Sequence, residues 1–581
     1  MMHVTFGNTA FDTAVLIKAP ALSEPNLKAH YLEPLKELGF DTSGLVGFSL
    51  TYDKKKPSAK CRKEYLAELL PALTSIGINY LICADGEYFK TLTGMKQAEP
   101  NAGYVLPCTV KGFEHLHVCY AASYQTYFVS PLKAAKTQLS LEALVSHSKD
   151  EYSELGKDVL KEVHYPSTVA DIASWLQKLK EYPALTMDIE AYSLKHFDAG
   201  IGTISFSWDQ YSAVVFPVDT QACEPYGIEV WDKKDKKFKK KTAHNIQVHN
   251  PEVRALLKDF FESYEGKTIW HNISYDGVVL TFQLWMDDLL DRVGLHTGRE
   301  VMLKNAECSQ IITYLATNTC AGNELGLKAQ AHEFVGNYAL DVKDIRLLPL
   351  DQLLEYNAID TCATWYVYNK NHPKMVADNQ EKIYKEIFKP ALFDIFEMHL
   401  TGMCLDIPRV KEVRDILGTI RANSYKTLLN EPVVQTFIRE MREQEVETRN
   451  AAYVNKVIDV DETKFEFNLN SGPQLQKLLY ANMGLPVLAT TPTKQPSTGK
   501  DILENLINHT EKDSYKRILQ AIVEFIEVEK ILSSFITAFL RDSIECPDGS
   551  IRIFGSYKLG GTLSGRLSAS DPNMQQSPSG S

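Results

Sequence analysis

The sequence lacks the cysteine spacing of a zinc ribbon or a disulfide scaffold. Its 581 residues include ten cysteines, and no two of them form a C-x-x-C pair. It also has no run of 18 apolar residues, and its start shows no basic segment followed by an apolar stretch. We therefore expect reduced thiols, a cytoplasmic location and no membrane partner.

The sequence also lacks an excess of positive charge. It has 62 Lys and Arg against 74 Asp and Glu, a net charge of −12, which excludes a uniformly basic nucleic-acid coat but not a local basic patch. The densest basic run, residues 233–241, contains seven lysines in nine positions. Such a run is typical of a solvated hairpin tip. It is also compatible with contact to a DNA backbone, which would depend on salt and not on base sequence.

A chain of this length exceeds one hydrophobic core, so we expect several domains. With 44% hydrophobic and 23% charged residues, the composition is that of folded α/β proteins. Alternating strand and helix patterns predict a small α/β domain over residues 1–150 and a second α/β domain over 163–375. Long helical patterns dominate residues 376–581. No internal repeat is evident.

Paired carboxylates end one strand pattern of the second domain. In Asp188-Ile189-Glu190, the two-residue period of a strand points both carboxylates to the same face. The pair is weak as an isolated signal, because Asp85-Gly86-Glu87 has the same spacing. It acquires meaning only together with other acidic residues.

Two further acidic motifs follow along the chain. Asn272 to Asp276 comes after a strand pattern and opens an amphipathic helix, so Asp276 falls in its first turn, where a helix cap is the plain alternative. Tyr356 and Asp360 are four residues apart in a helical pattern and share one face. Their plain alternative is a buried tyrosine beside a solvated aspartate.

The order of these motifs carries more information than any one of them. D-x-E on a strand, then N-x-x-Y-D, then Y-x-x-x-D resembles the DEDD exonucleases of the tyrosine type, as in the proofreading domain of bacterial DNA polymerase I. The resemblance implies an RNase H-like fold with a mixed sheet and helices over residues 163–375. It also implies four metal-binding carboxylates, Asp188, Glu190, Asp276 and Asp360, and a water-orienting tyrosine, Tyr356.

The chemistry accounts for these residue types. Phosphodiester hydrolysis requires a hydroxide at neutral pH and a clamp for the leaving 3′ oxygen, and two divalent metals supply both. Hard oxygen ligands suit Mg²⁺ or Mn²⁺ better than Cys or His would. By resemblance, Asp188 bridges two ions, Glu190 and Asp360 complete the first, and Asp276 holds the second through water. His271 is interpreted as structural.

The last residues contain a second signature, Gly561-Thr562-Leu563-Ser564-Gly565-Arg566-Leu567 followed by Pro572-Asn573-Met574-Gln575. It resembles the family A DNA polymerase motif T-x-x-G-R-L-S-x-x-x-P-N-x-Q, and Glu529 to Ser534 resembles the thumb of that family. The resemblance implies a mostly helical polymerase thumb and the start of a palm over residues 376–581. The implied partner is DNA primer-template, contacted by six residues: Arg566, Asn573, Gln575, Lys530, Ser533 and Asn272. The planar guanidinium and the amides suit minor-groove acceptors that all base pairs share.

The sequence departs from that family in two ways. Gln576-Ser577-Pro578 stands where many members have Asn-Ile-Pro. This variant resembles bacteriophage members of the family, which implies a location in the cytoplasm of a bacterial host. The metal-binding aspartates of the palm and the fingers helix are missing, so we expect this chain to be the N-terminal portion of a polymerase. Polymerisation then requires a separate or following polypeptide with the palm and fingers.

The amino-terminal domain has no evident catalytic set. Residues 84–94 and 119–124 faintly resemble the uracil-DNA glycosylase fold, but its His-Pro-Ser segment is missing, so we expect a non-catalytic accessory domain. Two alternatives to a proofreading exonuclease stay open: a stand-alone DEDD exonuclease acting on RNA, and a DNA-binding replication subunit whose exonuclease is idle. In each case the expected fold is an α/β multidomain chain.

Overall fold

The computed structural model describes residues 2–7, 10–232, 237–317, 324–338, 344–452, 457–463, 465–491 and 494–576. The chain forms two compact units. One consists of Met1–Leu400 with Lys558–Leu567, and the other of Thr401–Tyr557 with Ser568–Ser581. Among the described residues, no helix is both long and apolar enough to cross a bilayer.

The first unit begins with a six-stranded sheet whose strand order is β1-β3-β2-β4-β6-β5. The strands are β1 (His3–Thr5), β2 (Thr13–Lys18), β3 (Leu45–Leu50), β4 (Tyr80–Cys83), β5 (Val105–Pro107) and β6 (His117–Tyr120). The inner four are parallel, whereas β1 and β5 are antiparallel edges. Val15 and Leu16 are fully buried in separate apolar clusters, one on each face of this sheet, as expected for a parallel sheet covered on both sides.

Helices cover both faces of this first sheet. They are α1 (Glu24–Leu27), α2 (Glu33–Glu37), α3 (Ala59–Ser75), α4 (Gly86–Thr93) and α5 (Leu132–Ser148), with a π-helical turn over Lys28–Leu32. Short 3-10 turns lie at Ala19–Ala21, Thr42–Gly44, Glu99–Asn101 and Tyr124–Thr126. This part of the first unit has helices on both faces of a mostly parallel sheet, and we call it the amino-terminal domain.

A second six-stranded sheet has the order β14-β13-β8-β9-β10-β7. The strands are β7 (Glu162–His164), β8 (Ala184–Glu190), β9 (Thr203–Ser207), β10 (Ser212–Pro217), β13 (Lys267–Trp270) and β14 (Ala306–Cys308), and a hairpin of β11 (Thr220–Asp232) and β12 (Lys237–Gln247) leaves the sheet after β10. Strand β9 is antiparallel to β8 and β10, whereas β13 is parallel to both β8 and β14. The sheet is therefore mixed, with β8 at its centre.

Ten helices accompany the second sheet within the described residues. They are α6 (Val169–Leu179), α7 (His196–Ala199), α8 (Pro251–Ser263), α9 (Ile273–Trp285), α10 (Arg292–Leu303), α11 (Ser309–Ala316), α12 (Leu327–Val335), α13 (Leu350–Ala377), α14 (Glu381–Ile383) and α15 (Lys389–Thr401). A 3-10 turn at Ile345–Leu347 precedes α13, and a π-helical turn at Tyr384–Phe388 joins α14 to α15.

Helix α13 lies directly on the strands of the second sheet. The Thr186 hydroxyl donates to the Thr361 carbonyl at 2.9 Å, and the Trp365 indole donates to the Ser207 carbonyl at 2.8 Å. Thr186 and Thr361 are fully buried, and buried polar groups require such partners. These bonds determine which turn of α13 faces the end of β8.

The second unit is mostly helical, in agreement with the pattern in the sequence. Its helices are α16 (Ile407–Leu429), α17 (Pro432–Ala452), α18 (Gly472–Gln476), α19 (Lys500–Ile507), α20 (Asp513–Ile531) and α21 (Thr537–Asp542), with π-helical turns at Lys477–Asn482 and Leu532–Ile536 and 3-10 turns at Val460–Glu462 and Met574–Gln576. Short strands are β15 (Met403–Cys404), β16 (Ile544–Glu545), β17 (Ile551–Ile553), β18 (Ser556–Lys558) and β19 (Ser568–Ser570). Phe437, Leu503 and Ile522 are fully buried in its apolar core.

The two units divide the chain differently from the three regions expected from the sequence, because the regions expected over residues 1–150 and 163–375 lie in one unit. We expected the third region to begin at residue 376, whereas the first unit continues to Leu400. The segment Lys558–Leu567 also belongs to the first unit. There the Tyr314 hydroxyl donates to the Thr562 carbonyl at 3.0 Å, and Gly560 lies against the Tyr314 ring.

Candidate active site

The end of β8 carries two of the predicted carboxylates. Met187 and Ile189 are buried in the core of the first unit, so the alternation of a strand turns Asp188 and Glu190 to the opposite face. Ligand oxygens of Asp188, Glu190 and Asp360 all lie within 4.8 Å of one another. The spacing seen in the sequence therefore corresponds to a real cluster of carboxylates.

Asp276 reaches the same strand from the first turn of α9. Asn272 precedes that helix in the left-handed conformation, with φ of 73°, which asparagine tolerates better than most residues. The Asp276 side chain is 4% exposed and accepts a hydrogen bond from the backbone N–H of Ile189. It is therefore buried against β8 and does not act as a solvated helix cap.

Helix α13 supplies the remaining predicted residues. Asp360 is 6% exposed, and the Tyr356 hydroxyl one turn earlier donates a hydrogen bond to its carboxylate. Asn357, next to Tyr356, donates from Nδ2 to Asp188 Oδ2 at 2.7 Å, and its Oδ1 accepts from the Thr203 hydroxyl at 3.0 Å. This amide therefore fixes the orientation of the Asp188 carboxylate.

Sequence analysis did not identify three neighbours of these carboxylates. Asn357 could have been found, because it lies beside Tyr356 on the same helix. Tyr338 donates a hydrogen bond to Asp360 Oδ1, and its ring centre is 6.0 Å from that of Tyr356. Lys328 Nζ lies 4.8 Å from the centre of the Tyr356 ring. No spacing in the sequence connects Tyr338 or Lys328 with the acidic motifs.

Burial raises the pKa of every carboxyl group in the cluster, and the charges of neighbouring carboxylates add to the rise at Asp188, Glu190 and Asp276. Burial is the main cause for Asp188, and the charges of Asp276, Asp360 and Glu190 add to it. The same causes hold the pKa of Glu190 well above its ordinary value. Burial raises the pKa of Asp276 to about 8, whereas hydrogen bonds from Tyr338 and Tyr356 and the charge of Lys328 oppose the rise at Asp360.

This donor set fits hard divalent cations. Carboxylates at such short range repel one another in a buried setting, and a cation bound between them removes that cost. Oxygen-only ligation favours Mg²⁺ or Mn²⁺ over softer metals. Asp188, Glu190 and Asp360 could together hold one ion, and Asp276 reaches the end of β8 from α9.

The equally spaced pair Asp85 and Glu87 has a different environment. Asp85 begins α4 and accepts hydrogen bonds from the backbone N–H groups of Glu87 and Tyr88 at 2.9 and 3.0 Å. Glu87 pairs with Lys90 at 2.7 Å. These carboxylates are a helix cap and a surface ion pair, and they do not form a metal site.

His271, which the sequence suggests is structural, uses both ring nitrogens in hydrogen bonds. Nδ1 lies 2.8 Å from the Ser309 hydroxyl, and Nε2 lies 2.9 Å from the Leu325 carbonyl oxygen. Burial lowers its pKa to about 4, so the ring is neutral at physiological pH. Neither nitrogen is directed at the carboxylates.

The residues predicted to contact DNA are distributed over both units. Arg566 is exposed in the first unit, where its carbonyl accepts from the Thr562 hydroxyl at 2.7 Å. Asn272, in the same unit, is half-buried before α9. The others belong to the second unit, with Lys530, Ser533 and Gln575 exposed and Asn573 half-buried. Their proposed contacts with DNA stay predictions.

The basic run falls partly outside the described residues, because 233–236 are not among them. Lys237, Lys239 and Lys241 lie on β12 at alternate positions and share one face of the hairpin. Lys239 Nζ lies 2.6 Å from Asp232 Oδ2. The other face carries Lys240 and the paired rings of Trp231 and Phe238, which are 49% and 63% exposed. The lysines are therefore accessible, and contact with a DNA backbone stays a prediction.

Comparison with known proteins connects the carboxyl-terminal quarter of the chain with one family. Residues 436–581 match the model of DNA polymerase family A. DNA polymerase I of Pseudomonas aeruginosa is 24% identical over 452 residues, which cover 75% of this chain and 42% of that protein. The DNA polymerase of Bacillus phage SP01 is 27% identical over 257 residues, or 40% of this chain and 26% of that one.

The thermostable DNA polymerase I of Thermus aquaticus is 35% identical over 113 residues, 19% of this chain and 12% of that protein. Residues 436–581 are therefore similar to the family A DNA polymerases. The chain spans less than half the length of these curated relatives. The 452 residues aligned with the Pseudomonas protein exceed the segment 436–581 that the family model matches. The similarity to that protein therefore extends into the preceding part of the chain.

The raised carboxyl pKa values predict how the metal-free protein responds to pH. Unfolded aspartates titrate near pH 4, whereas the pKa of folded Asp276 is about 8. Between these pH values the folded chain binds more protons, so this site lowers the free energy of unfolding as pH rises. We expect Mn²⁺ to raise the melting temperature measured in chelator-treated protein more at pH 8 than at pH 6.

Asp188→Asn removes one buried charge and one metal ligand from the cluster. We expect it to melt at a higher temperature than the wild type at pH 8 without metal, and to lose the shift caused by Mn²⁺. Asp209→Asn is the matched control, since Asp209 is an exposed turn residue of the same domain. An Mn²⁺ shift of equal size in the wild type and Asp188→Asn would contradict the assignment of these ligands.

Proposed function

We propose that this chain is a 3′ to 5′ DNA exonuclease joined to a duplex-binding part of a family A DNA polymerase. One observation carries the proposal: Asp188, Glu190, Asp276 and Asp360 converge at the end of a central strand beside the Tyr356 hydroxyl. The sheet order β14-β13-β8-β9-β10, with β8 at its centre, supports the RNase H-like interpretation. Proofreading during DNA replication is the role that fits both parts.

The residues of this chain would orient the reaction. Divalent metal ions held by the four carboxylates would supply hydroxide at neutral pH and stabilise the leaving 3′ oxygen. Asn357 fixes the Asp188 carboxylate, and the Ile189 N–H fixes that of Asp276. The Tyr356 hydroxyl lies within hydrogen-bond reach of Asp360, one of the proposed metal ligands. From there it would donate a hydrogen bond to the attacking water.

The match to the polymerase family supports the second half of the proposal. Residues 436–581 would bind primer-template duplex through Arg566, Asn573, Gln575, Lys530 and Ser533, and Asn272 would contact the strand at the exonuclease site. Palm carboxylates and a fingers helix, on a continuous or a separate polypeptide, are the proposed partner for nucleotide addition. The exonuclease would then remove a frayed 3′ end that this partner cannot extend.

Asp188→Asn should abolish metal-dependent release of nucleotides from a single-stranded DNA 3′ end. Loss of the Asp188 carboxylate as a metal ligand should cost roughly 3 to 5 kcal/mol of transition-state stabilisation. This cost corresponds to a decrease in rate of about a hundredfold to several-thousandfold. Tyr356→Phe should lose less, since only one hydrogen bond disappears. The measurement is quenched-flow hydrolysis of matched DNA and RNA oligonucleotides, with Asp209→Asn as the control. A wild-type rate in folded Asp188→Asn, or preference for RNA, would overturn the proposal.

Replacing Lys239, Lys240 and Lys241 by serine should weaken single-stranded DNA binding and flatten its salt dependence. If all three contact phosphates, the slope of log K against log salt should decrease in magnitude by about two. Fluorescence anisotropy in EDTA between low and moderate salt measures the slope without hydrolysis. The control is Lys54, Lys55 and Lys56 to serine, three exposed lysines of the amino-terminal domain. Equal slopes in all three proteins would show that the run is only a solvated surface.

Arg566→Ala should weaken binding of primer-template duplex and leave hydrolysis of short single strands nearly unchanged. The guanidinium is exposed and separate in sequence from every carboxylate of the site, so the two properties should be independent. Duplex anisotropy and single-strand hydrolysis should be measured on the same preparation. Equal losses in both assays would mean that the segment containing Arg566 supports the exonuclease instead of the duplex.

A further inference from the structure

The amino-terminal domain forms hydrogen bonds between side chains and backbone with α12 and the segment that follows it. The Asn337 N–H donates to the Tyr104 hydroxyl at 2.7 Å, and that hydroxyl donates to the Leu155 carbonyl at 3.1 Å. One turn earlier, His332 Nε2 donates to the Ala102 carbonyl at 2.7 Å. Ala102 and Tyr104 therefore form hydrogen bonds with the last turn of α12 and with the residues that follow this helix.

Two glycines allow this close approach. Gly336 has a φ of 62°, and a Cβ placed there would lie 2.2 Å from the Tyr104 hydroxyl oxygen. Gly156 has a φ of 85°, and a Cβ there would lie 2.3 Å from the Val335 carbonyl oxygen. Any other residue would be strained and would separate the backbones. The contact is therefore a closely packed junction without room for side chains at these points.

The other side of the same segment touches the carboxylate cluster. Tyr338 follows Asn337 directly, and its hydroxyl donates to Asp360 Oδ1. Lys328, in the first turn of α12, places Nζ 4.8 Å from the centre of the Tyr356 ring. The amino-terminal domain thus contacts Asn337, whose neighbour Tyr338 contacts a carboxylate of the candidate active site.

We infer that the amino-terminal domain positions the exonuclease site, with Tyr338 as the positioning residue that orients Asp360 and Tyr104 acting through it. This inference rests on the proposed exonuclease function. A hydrogen bond to a metal-binding carboxylate orients it, and loss of that bond typically weakens metal binding about tenfold or more. Tyr338 supplies that bond, and the Tyr104 hydroxyl holds the backbone from which Tyr338 projects. A domain without a catalytic set would then have a role in catalysis.

The variants that test the inference are Tyr338→Phe, Tyr104→Phe and the two combined. Each removes one hydroxyl and keeps the ring. Tyr88→Phe is the control, because the Tyr88 hydroxyl donates to the Thr51 carbonyl at 2.6 Å wholly within the amino-terminal domain. Three quantities should be measured: the Mn²⁺ dissociation constant by electron paramagnetic resonance, amide hydrogen exchange of residues 324–338, and kcat and KM for single-stranded DNA.

We expect Tyr338→Phe to weaken Mn²⁺ binding about tenfold and to lower kcat with little change in KM. Tyr104→Phe should show the same pattern at about two- to tenfold, with faster amide exchange at Asn337 and Tyr338. The double variant should lose less than the product of the single losses, because both act on one contact. The Tyr88→Phe control should match the wild type in all three measurements.

Wild-type Mn²⁺ affinity in Tyr104→Phe, with faster exchange at Asn337, would overturn the inference, since the junction would then exist without positioning the site. Independent, multiplicative losses in the double variant would also overturn it. Metal binding and amide exchange are measured without hydrolysis. If the wild type released no nucleotide, the proposed function would fail, whereas these two measurements would still decide whether the domain positions the carboxylates.

Discussion

Repulsion among closely spaced, buried carboxylates is the constraint on which the centre of the first unit depends. Asp188, Glu190 and Asp360 have oxygens within 4.8 Å of one another, and such a cluster is unfavourable unless hydrogen bonds and cations balance it. The fold provides the hydrogen bonds from four directions: the Ile189 backbone, Asn357, Tyr356 and Tyr338. This arrangement favours the binding of divalent cations. It also lowers the free energy of unfolding when no cation is bound.

The sequence predicts this cluster because two simple periods apply to it. The period of a strand orients Asp188 and Glu190 together, and the period of a helix places Tyr356 and Asp360 on one face. The strand period alone does not distinguish the Asp188 and Glu190 pair from Asp85, because Asp85 is also followed by a glutamate two positions later. Asp85 is followed by glycine and a helix whose N–H groups it caps, and this local context is the difference that the sequence already contains.

Other parts of the site depend on packing between distant segments. Lys328 and Tyr338 reach Tyr356 and Asp360 because α12 packs on α13, and nothing in the spacing of Lys328 and Tyr338 along the chain indicates this packing. Likewise, the family signature around Arg566 predicts a contact with duplex but gives no sign that Lys558–Leu567 belongs to the first unit. Contacts over 200 residues, such as that of Tyr314 with Thr562, arise from three-dimensional packing and have no periodic signal along the chain.

The placement of Lys558–Leu567 affects how the protein can be divided into smaller pieces. A fragment ending at Leu400 would contain both α/β domains, but the Tyr314 hydroxyl, in a side chain that is 8% exposed, would lose its acceptor at Thr562. The ring would also lose the backbone of Gly560 that covers it. A minimal version of the first unit would therefore need these ten residues supplied in trans as a peptide, or attached through a designed linker in place of the second unit.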